Sequence, residues 1–363
     1  MNGIKGFSKV NKVYIIAEIG INHNGSLENC YRMIDASVES GCNAAKFQLF
    51  SAKNLYPKSA GQMDWKDDKS EYSYDIYEAV KNFELPEKWI EKLISYCESK
   101  NIDFMASVFD VSGLDYIVEK GMKIIKLSSY AITNIPLIEA CAKKRLPIIM
   151  STGGATLAET EDALNCVLKY HDNVKILHCS IAYPTDLKDI NMGVLNTFKY
   201  AFPNIKYGYS DHSLEVSDAA IQSVYLGGIV LEKHITLNKK MDGPDHFFAL
   251  EPEELKIMVS DIRNAEEDYI NDNFKIDEVI YGSSARICYE QEKYLRDFAY
   301  MTLFLKKDVK KGEIIFSNDI SILRPGKKRR GLEPKYLQLF KDNIIFAKKD
   351  ILFEDPLQWE MIL

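Results

Sequence analysis

The chain has 363 residues, 46% of them hydrophobic and 27% charged, with 46 Lys and Arg against 53 Asp and Glu. That is the composition of an ordinary globular protein too long for one small core, and a formal charge of −7 without a basic, aromatic-interleaved stripe argues against a general nucleic-acid binder. Seven scattered cysteines without a Cys-x-x-Cys pair suggest neither a disulfide framework nor structural zinc. No stretch reaches the roughly 18 uninterrupted apolar residues of a membrane span, and no apolar signal core opens the chain, so a cytoplasmic protein is expected.

In chain order, residues 13–266 alternate short apolar runs with amphipathic stretches. The strand candidates are VYIIAEI (13–19), AAKFQLF (44–50), DFMASVF (103–109), KIIKLSS (123–129), PIIMST (147–152), KILHCS (175–180), KYGYSD (206–211) and GIVLEKHI (228–235). Helix candidates lie between them, among them LENCYRMIDASVESG, LPEKWIEKLISYCESK and TLAETEDALNCVLKYH. Capping residues flank several of these stretches. Eight repeats in roughly 250 residues predict an α/β fold, a closed (β/α)8 TIM barrel, over residues 1–267. No strand runs into Gly-x-Gly-x-x-Gly, which weakens a dinucleotide-binding alternative. Residues 268–290 read as a polar linker, and 291–363 as a small mostly-β domain with Gly, Asn-Asp and Pro-Gly turns. Residues 301–363 hold 13 Lys and Arg against 9 Asp and Glu, in runs that usually form a solvated face.

The first strand ends in EIGINHNG, residues 18–25. Gly20, Asn24 and Gly25 suit positive φ and Ser26 suits a helix cap, so a βα turn is a sufficient structural explanation. An eightfold barrel, however, carries its site at the C-terminal ends of its strands. There this sequence is polar: Glu18 on strand one, Lys46 and Gln48 on strand two, Ser107 on strand three, and Lys126, Ser128 and Ser129 on strand four. Strand five gives Ser151 and Thr152, strand six His178 and Cys179 with Tyr183 beyond, strand seven Ser210, Asp211 and His212, and strand eight Lys233 and His234. Asp245 follows in MDGPDHF. Singly, each has a plainer reading. A serine caps a helix, a lysine snorkels, His178 is a hydrogen-bonded core residue, and His171 and His246 lie at the surface. Together, two lysines inside apolar strands converging with serines predict a phosphorylated anion in the barrel mouth. His212 and His234 end adjacent strands within reach of one cation, and spacing alone leaves open whether a metal binds there.

With these residues assembled, the chain resembles the sialic acid synthase family through IIAEIGINHNG, KFQ, LHCS followed by YPT, GYSDHS, LEKHIT, GPDH and RPG. The resemblance spans nearly the whole chain and implies a C-terminal antifreeze-like (SAF) domain. It implies a nonulosonic acid synthase, an enzyme condensing phosphoenolpyruvate with N-acetylmannosamine or a 2,4-diacetamido-6-deoxyhexose for surface glycan biosynthesis. It further implies that Lys46, Ser107, Lys126, Ser129, Ser151 and Ser210 hold phosphoenolpyruvate, with Gln48 near its carboxylate. His212 and His234 would bind a divalent cation, Mn²⁺ or Mg²⁺, with Glu18, Tyr183 and Asp245 around the reacting atoms and the sugar. Members form domain-swapped homodimers, so the implied Arg324, beside Phe298, reaches the sugar's N-acyl group on the partner chain.

Two departures bear on the sugar. Ala131 stands where many members have the glutamate of Gly-Ser-Gly-Glu, and Ile181 where they often have asparagine. Apolar groups at those positions suit a sugar lacking a hydroxyl or bearing extra acyl groups. Two other readings stay open: a phosphoenolpyruvate-dependent synthase using an aldose phosphate, and a non-catalytic glycan-binding homologue.

Overall fold

The computed structural model describes residues 12–66, 71–342 and 344–362. Eight parallel strands close into a barrel: β1 (Tyr14–Gly20), β2 (Ala44–Leu49), β3 (Asp103–Val108), β4 (Ile125–Leu127), β5 (Ile148–Ser151), β6 (Val174–Cys179), β7 (Lys206–Asp211) and β8 (Val230–His234). Each strand pairs with its neighbours in sequence, and β8 pairs back onto β1. This is the (β/α)8 architecture that the alternating pattern predicts.

Because strand side chains alternate in direction, every second residue enters the barrel. The lower interior is apolar and holds Tyr14, Ile16, Ala44, Met105, Ile149, Leu177 and Val230. The next inward positions along the same strands are Glu18, Lys46, Ser107, Lys126, Ser151, Cys179, Ser210 and Glu232. Register sets them side by side: Glu18 opposite Lys46, Ser107 opposite Lys126, and Ser210 opposite Cys179 and Glu232. A polar layer therefore lies directly above an apolar one.

The outward-facing residues meet a ring of helices in one extended core. Helix Leu27–Glu39 starts where Ser26 Oγ accepts the Asn29 N–H at 3.2 Å, and it buries Cys30, Met33 and Ile34. Helix Leu157–Leu168 opens on a reciprocal Thr156–Glu159 capping box. An antiparallel hairpin, Gln62–Lys66 with Glu71–Asp75, is inserted between β2 and β3, an addition the βα period does not call for.

After helix Pro252–Ile270 the chain runs over the barrel's β5 and β6 loops and forms helix Lys293–Ala299. A small domain follows, with strands Thr302–Leu305 and Ile320–Leu323 paired and its own core of Leu303, Leu305, Val309, Ile315, Phe340 and Leu357. It is seated on the barrel's own β2–β3 segment. The Arg324 N–H donates to Leu55 O at 2.8 Å, Lys327 N–H to Ala60 O at 2.8 Å, and Lys58 and Ser59 N–H donate to Glu354.

Candidate active site

The turn after β1 does two jobs. Gly20, Asn24 and Gly25 have φ of 55°, 48° and 68°, as the turn reading expects. A Cβ on Gly20 would lie 3.0 Å from Glu18 Oε1 and 3.1 Å from Gln48 Nε2, so glycine also leaves those groups their space. Asn22 Nδ2 donates to Ile235 O at 2.9 Å and Asn24 Nδ2 to Asp242 O at 2.8 Å. Both bonds tether the loop carrying Asp245. His246 is buried in the same knot, bonded to Thr236 and Asn24, and is not the surface residue expected of it. His171 is half-buried.

The polar layer is a closed charge network. Lys46 Nζ lies 2.7 Å from Glu18 Oε2, 3.0 Å from Ser107 Oγ and 3.6 Å from Glu232 Oε2. Lys126 Nζ lies 2.8 Å from Ser151 Oγ and 3.5 Å from Glu232 Oε1. Ser210 donates to Glu232 at 3.1 Å, and Gln48 donates to Glu18 at 2.9 Å. Burial alone would pull Lys46 down, but Glu18 and Glu232 outweigh it and hold the ammonium's pKa above its usual value. Lys126 goes the other way: burial lowers it, and Glu232 offsets only part. Glu18 is raised, first by burial, against the pull of Lys46. Removing water makes each of these charges costly unless it is paired, and each has an opposite charge or a hydroxyl beside it. Glu232 is the member the sequence reading lacks.

Above the layer stand the two histidines. Their ring centroids are 5.4 Å apart, and Phe248 packs on both. His212 Nδ1–H donates to Ser180 O at 2.7 Å, which leaves the Nε2 lone pair free. His234 is held neutral, by burial first and then by the neighbouring cations. Its Nδ1 is buried without a hydrogen-bond partner, 3.7 Å from Asp245 Oδ2. Loss of water and the nearby Glu18 raise Asp245 to about 7. Among the described residues, no group of three or more His, Cys, Asp or Glu is placed to hold a metal ion. The two rings can nevertheless offer ring nitrogens to a cation whose other ligands are water and substrate. His234 is neutral, whereas for His212 burial is outweighed by Cys179 and the Ser180 carbonyl, which raise its pKa, so a cation there would displace the His212 proton.

Several expected neighbours belong elsewhere. Lys233 points out of the barrel, paired with Asp211 at 2.8 Å, because it alternates with the inward Glu232 and His234. His178 is the core residue expected, bonded through Nε2 to Ile190 O at 2.6 Å. Ser129 Oγ accepts the Gly153 N–H at 2.9 Å and so braces the loop after β5. Ala131 and Ile181 are both 0% exposed, in the core that the strands share with the helices.

The rim is aromatic. Tyr183 stacks 4.3 Å from His212, and its hydroxyl is 3.5 Å from that of Tyr130. Tyr130 occupies the position beside Ala131 and is a second residue the sequence reading passed over. The Arg324 guanidinium lies 4.7 Å from the Tyr130 ring, 5.2 Å from Phe109 and 5.8 Å from Tyr56, and its buried Nε has no partner. Phe298 sits behind Tyr56 at 6.0 Å, and its carbonyl accepts the Gly326 N–H. All these rings belong to the same chain as Arg324. Within the chain, the backbone bonds of Arg324 to Leu55 and of Lys327 to Ala60 seat the small domain on the barrel.

A barrel with catalytic-type groups confined to the C-terminal ends of its strands defines an enzyme of the (β/α)8 class. The NeuB family model matches residues 33–273, and the chain belongs to that family of synthases. It is 35% identical over 353 residues to the spore coat polysaccharide biosynthesis protein SpsE of Bacillus subtilis, covering 97% of this chain and 94% of the relative. It is 34% identical to the N,N'-diacetyllegionaminic acid synthase of Legionella pneumophila, over 90% of this chain and 89% of that one. The crystal structure of Bacillus subtilis SpsE superposes with a TM-score of 0.86, covering 97% of this chain and 95% of that chain.

Proposed function

We propose that the enzyme condenses phosphoenolpyruvate with the open-chain aldehyde of an N-acylated hexosamine, giving a nine-carbon 2-keto acid and inorganic phosphate. The carrying observation is the pair of buried lysines, Lys46 and Lys126, each bonded to a serine hydroxyl in the barrel's upper level. A phosphorylated carboxylate supplies the negative charge that two ammonium groups and neutral hydroxyl donors recognise. Named relatives make diacetyllegionaminic, pseudaminic and neuraminic-type acids. The Legionella likeness favours a 2,4-diacetamido-6-deoxyhexose as co-substrate, with N-acetylmannosamine as the alternative.

The residues divide the work. Lys46, Lys126, Ser107, Ser151 and Ser210 hold the anion and stabilise phosphate as it departs. Gln48 faces the carboxylate end, and Ser129 acts through the β5 loop. A divalent cation, Mn²⁺ or Mg²⁺, held by His212 and His234 would polarise the aldehyde. C3 of phosphoenolpyruvate bonds to that carbon, cationic character develops at C2, water adds there, and the C–O bond to phosphate breaks. Glu18, whose pKa is raised, is suited to stabilise the cation or take the proton of the water. Asp245, raised to about 7, can exchange a proton with the sugar near neutral pH. Tyr130, Tyr183 and Arg324 offer an aromatic rim and an unpartnered N–H to the N-acyl group.

Phosphate release from phosphoenolpyruvate with Mn²⁺, measured against a panel of hexosamines and aldose phosphates, tests the reading. Release that requires an N-acylated hexosamine supports it. Release only with an aldose phosphate, or none at all, overturns it.

A further inference from the structure

The loop leaving β5 gives away its backbone hydrogen bonds in an unusual direction. Residues Gly153, Gly154 and Ala155 directly follow Ser151 and Thr152, and apart from one internal turn bond their peptide groups are all met by side chains. Ser129 takes the Gly153 N–H. The other four partners come from the stretch between barrel and small domain. Tyr300 donates to Gly153 O at 2.5 Å, Glu292 Oε1 accepts the Gly154 N–H at 2.8 Å, Arg296 donates to Gly154 O, and Arg286 Nε donates to Ala155 O at 2.6 Å. Glu292 Oε1 also accepts the Ile181 N–H at 3.2 Å, on the loop that leads to Tyr183. Both Glu292 and Arg286 are buried, and they stand 3.7 Å apart.

A loop that needed only stability would be satisfied by its own turn or by its helix. This one is gripped residue by residue by a segment more than a hundred positions away, and both gripped loops carry groups of the candidate site. The glycines make the grip possible. A Cβ at Gly154, where φ is 70°, would lie 2.7 Å from Ile181 Cδ1 and 3.2 Å from Tyr300 Oη.

We infer that Glu292 is a positioning residue: with Arg286, Arg296 and Tyr300 it fixes the β5 and β6 loops so that Ser129 and Ser151 meet the substrate phosphate. This rests on the phosphoenolpyruvate reading for its ligand, though not for its geometry. The connector's docking thereby becomes part of the anion site.

Two measurements on the full chain test it. In the first, hydrogen exchange of the peptide covering residues 151–156 is compared between wild type and Glu292→Ala. At least tenfold faster exchange there, with helix Leu27–Glu39 unchanged, is expected, and unchanged protection of the loop overturns the inference. In the second, phosphoenolpyruvate is titrated calorimetrically. Glu292→Ala should weaken binding at least tenfold. Glu292→Gln, whose amide oxygen can still accept both N–H groups, should return within about threefold of wild type. Lys293→Ala, on the exposed side of the same segment, should bind as wild type does. Should the alanine variant not fold, Tyr300→Phe removes one hydroxyl and should weaken binding in the same direction by a smaller factor. Wild-type affinity in a folded Glu292→Ala or in Tyr300→Phe overturns the inference. A wild type that takes up no phosphoenolpyruvate, with the loop still loosened in the variant, refutes the functional reading and leaves the grip standing.

Discussion

The two levels of the barrel interior are built on the same strands, two residues apart, yet they obey opposite rules. The lower level, with Ile16, Met105, Ile149 and Leu177, is apolar and fully buried. The upper level crowds Glu18, Lys46, Lys126 and Glu232 into an equally dry space. Packed side chains below require nothing from solvent. The charges above are tolerated because each has partners, and replacing such a network with apolar groups often stabilises a protein. The two levels are equally buried, so what distinguishes them is charge and not access to solvent.

That comparison can be broken in four places. The largest effect is expected from His234→Ala, above the polar level, which should cost several kcal/mol of transition-state stabilisation. Metal-dependent activity should vanish and not return with added Mn²⁺, while the circular dichroism spectrum stays unchanged. Full activity of that variant after chelation would remove the cation from the account. In the lower level, Leu177→Ala should lower unfolding free energy by about 3 kcal/mol, within the usual 2–5 kcal/mol for a buried leucine, and leave the KM for phosphoenolpyruvate near wild type. Denaturant titration and steady-state kinetics read the two quantities separately.

A pH dependence of stability comes next. Burial first, then Arg286, lowers the pKa of His178 to about 3. The unfolded chain therefore binds a proton that the folded chain refuses below about pH 6.5, so stability falls as pH drops from there toward 3. At pH 5 the loss from this residue is about 2 kcal/mol. His178→Gln should flatten that part of the denaturation profile, and an unaltered profile would show that His178 is not held neutral. The smallest effect concerns the rim. Arg324→Ala should raise the KM for the sugar by about 1–2 kcal/mol with little change for phosphoenolpyruvate. Since Arg324 sits on its own barrel, mixing this variant with Lys126→Met should restore no activity. Recovery on mixing would place the arginine in trans.

Much of this was legible in the sequence because the barrel enforces a period of two on each strand. Lys46 and Gln48 on one face, and the conjunction of Lys126 with Ser151, followed from that spacing. Glu232 was equally legible in principle, being two residues from His234. Adjacent strand residues face opposite ways, so Lys233 points outward and the inward partner of His234 is Glu232. Loop positions were harder. Whether Ala131 and Ile181 face a sugar depends on the path of loops held by Glu292 and Tyr300, which local pattern does not encode. The seat of Arg324 is likewise set by contacts across more than 200 residues, through Leu55 and Ala60.

The most direct test of the central claim, that the polar level is a phosphoenolpyruvate site, is a calorimetric titration of phosphoenolpyruvate into wild type and Lys126→Met in parallel. Removing one charge-assisted phosphate contact should cost roughly 1.5–3 kcal/mol, a factor of about 10 to 150 in affinity. Saturable binding at one site per chain in wild type, weakened by that factor in the variant, is the result expected. Equal affinities in the two proteins, or no binding to wild type, would contradict the claim.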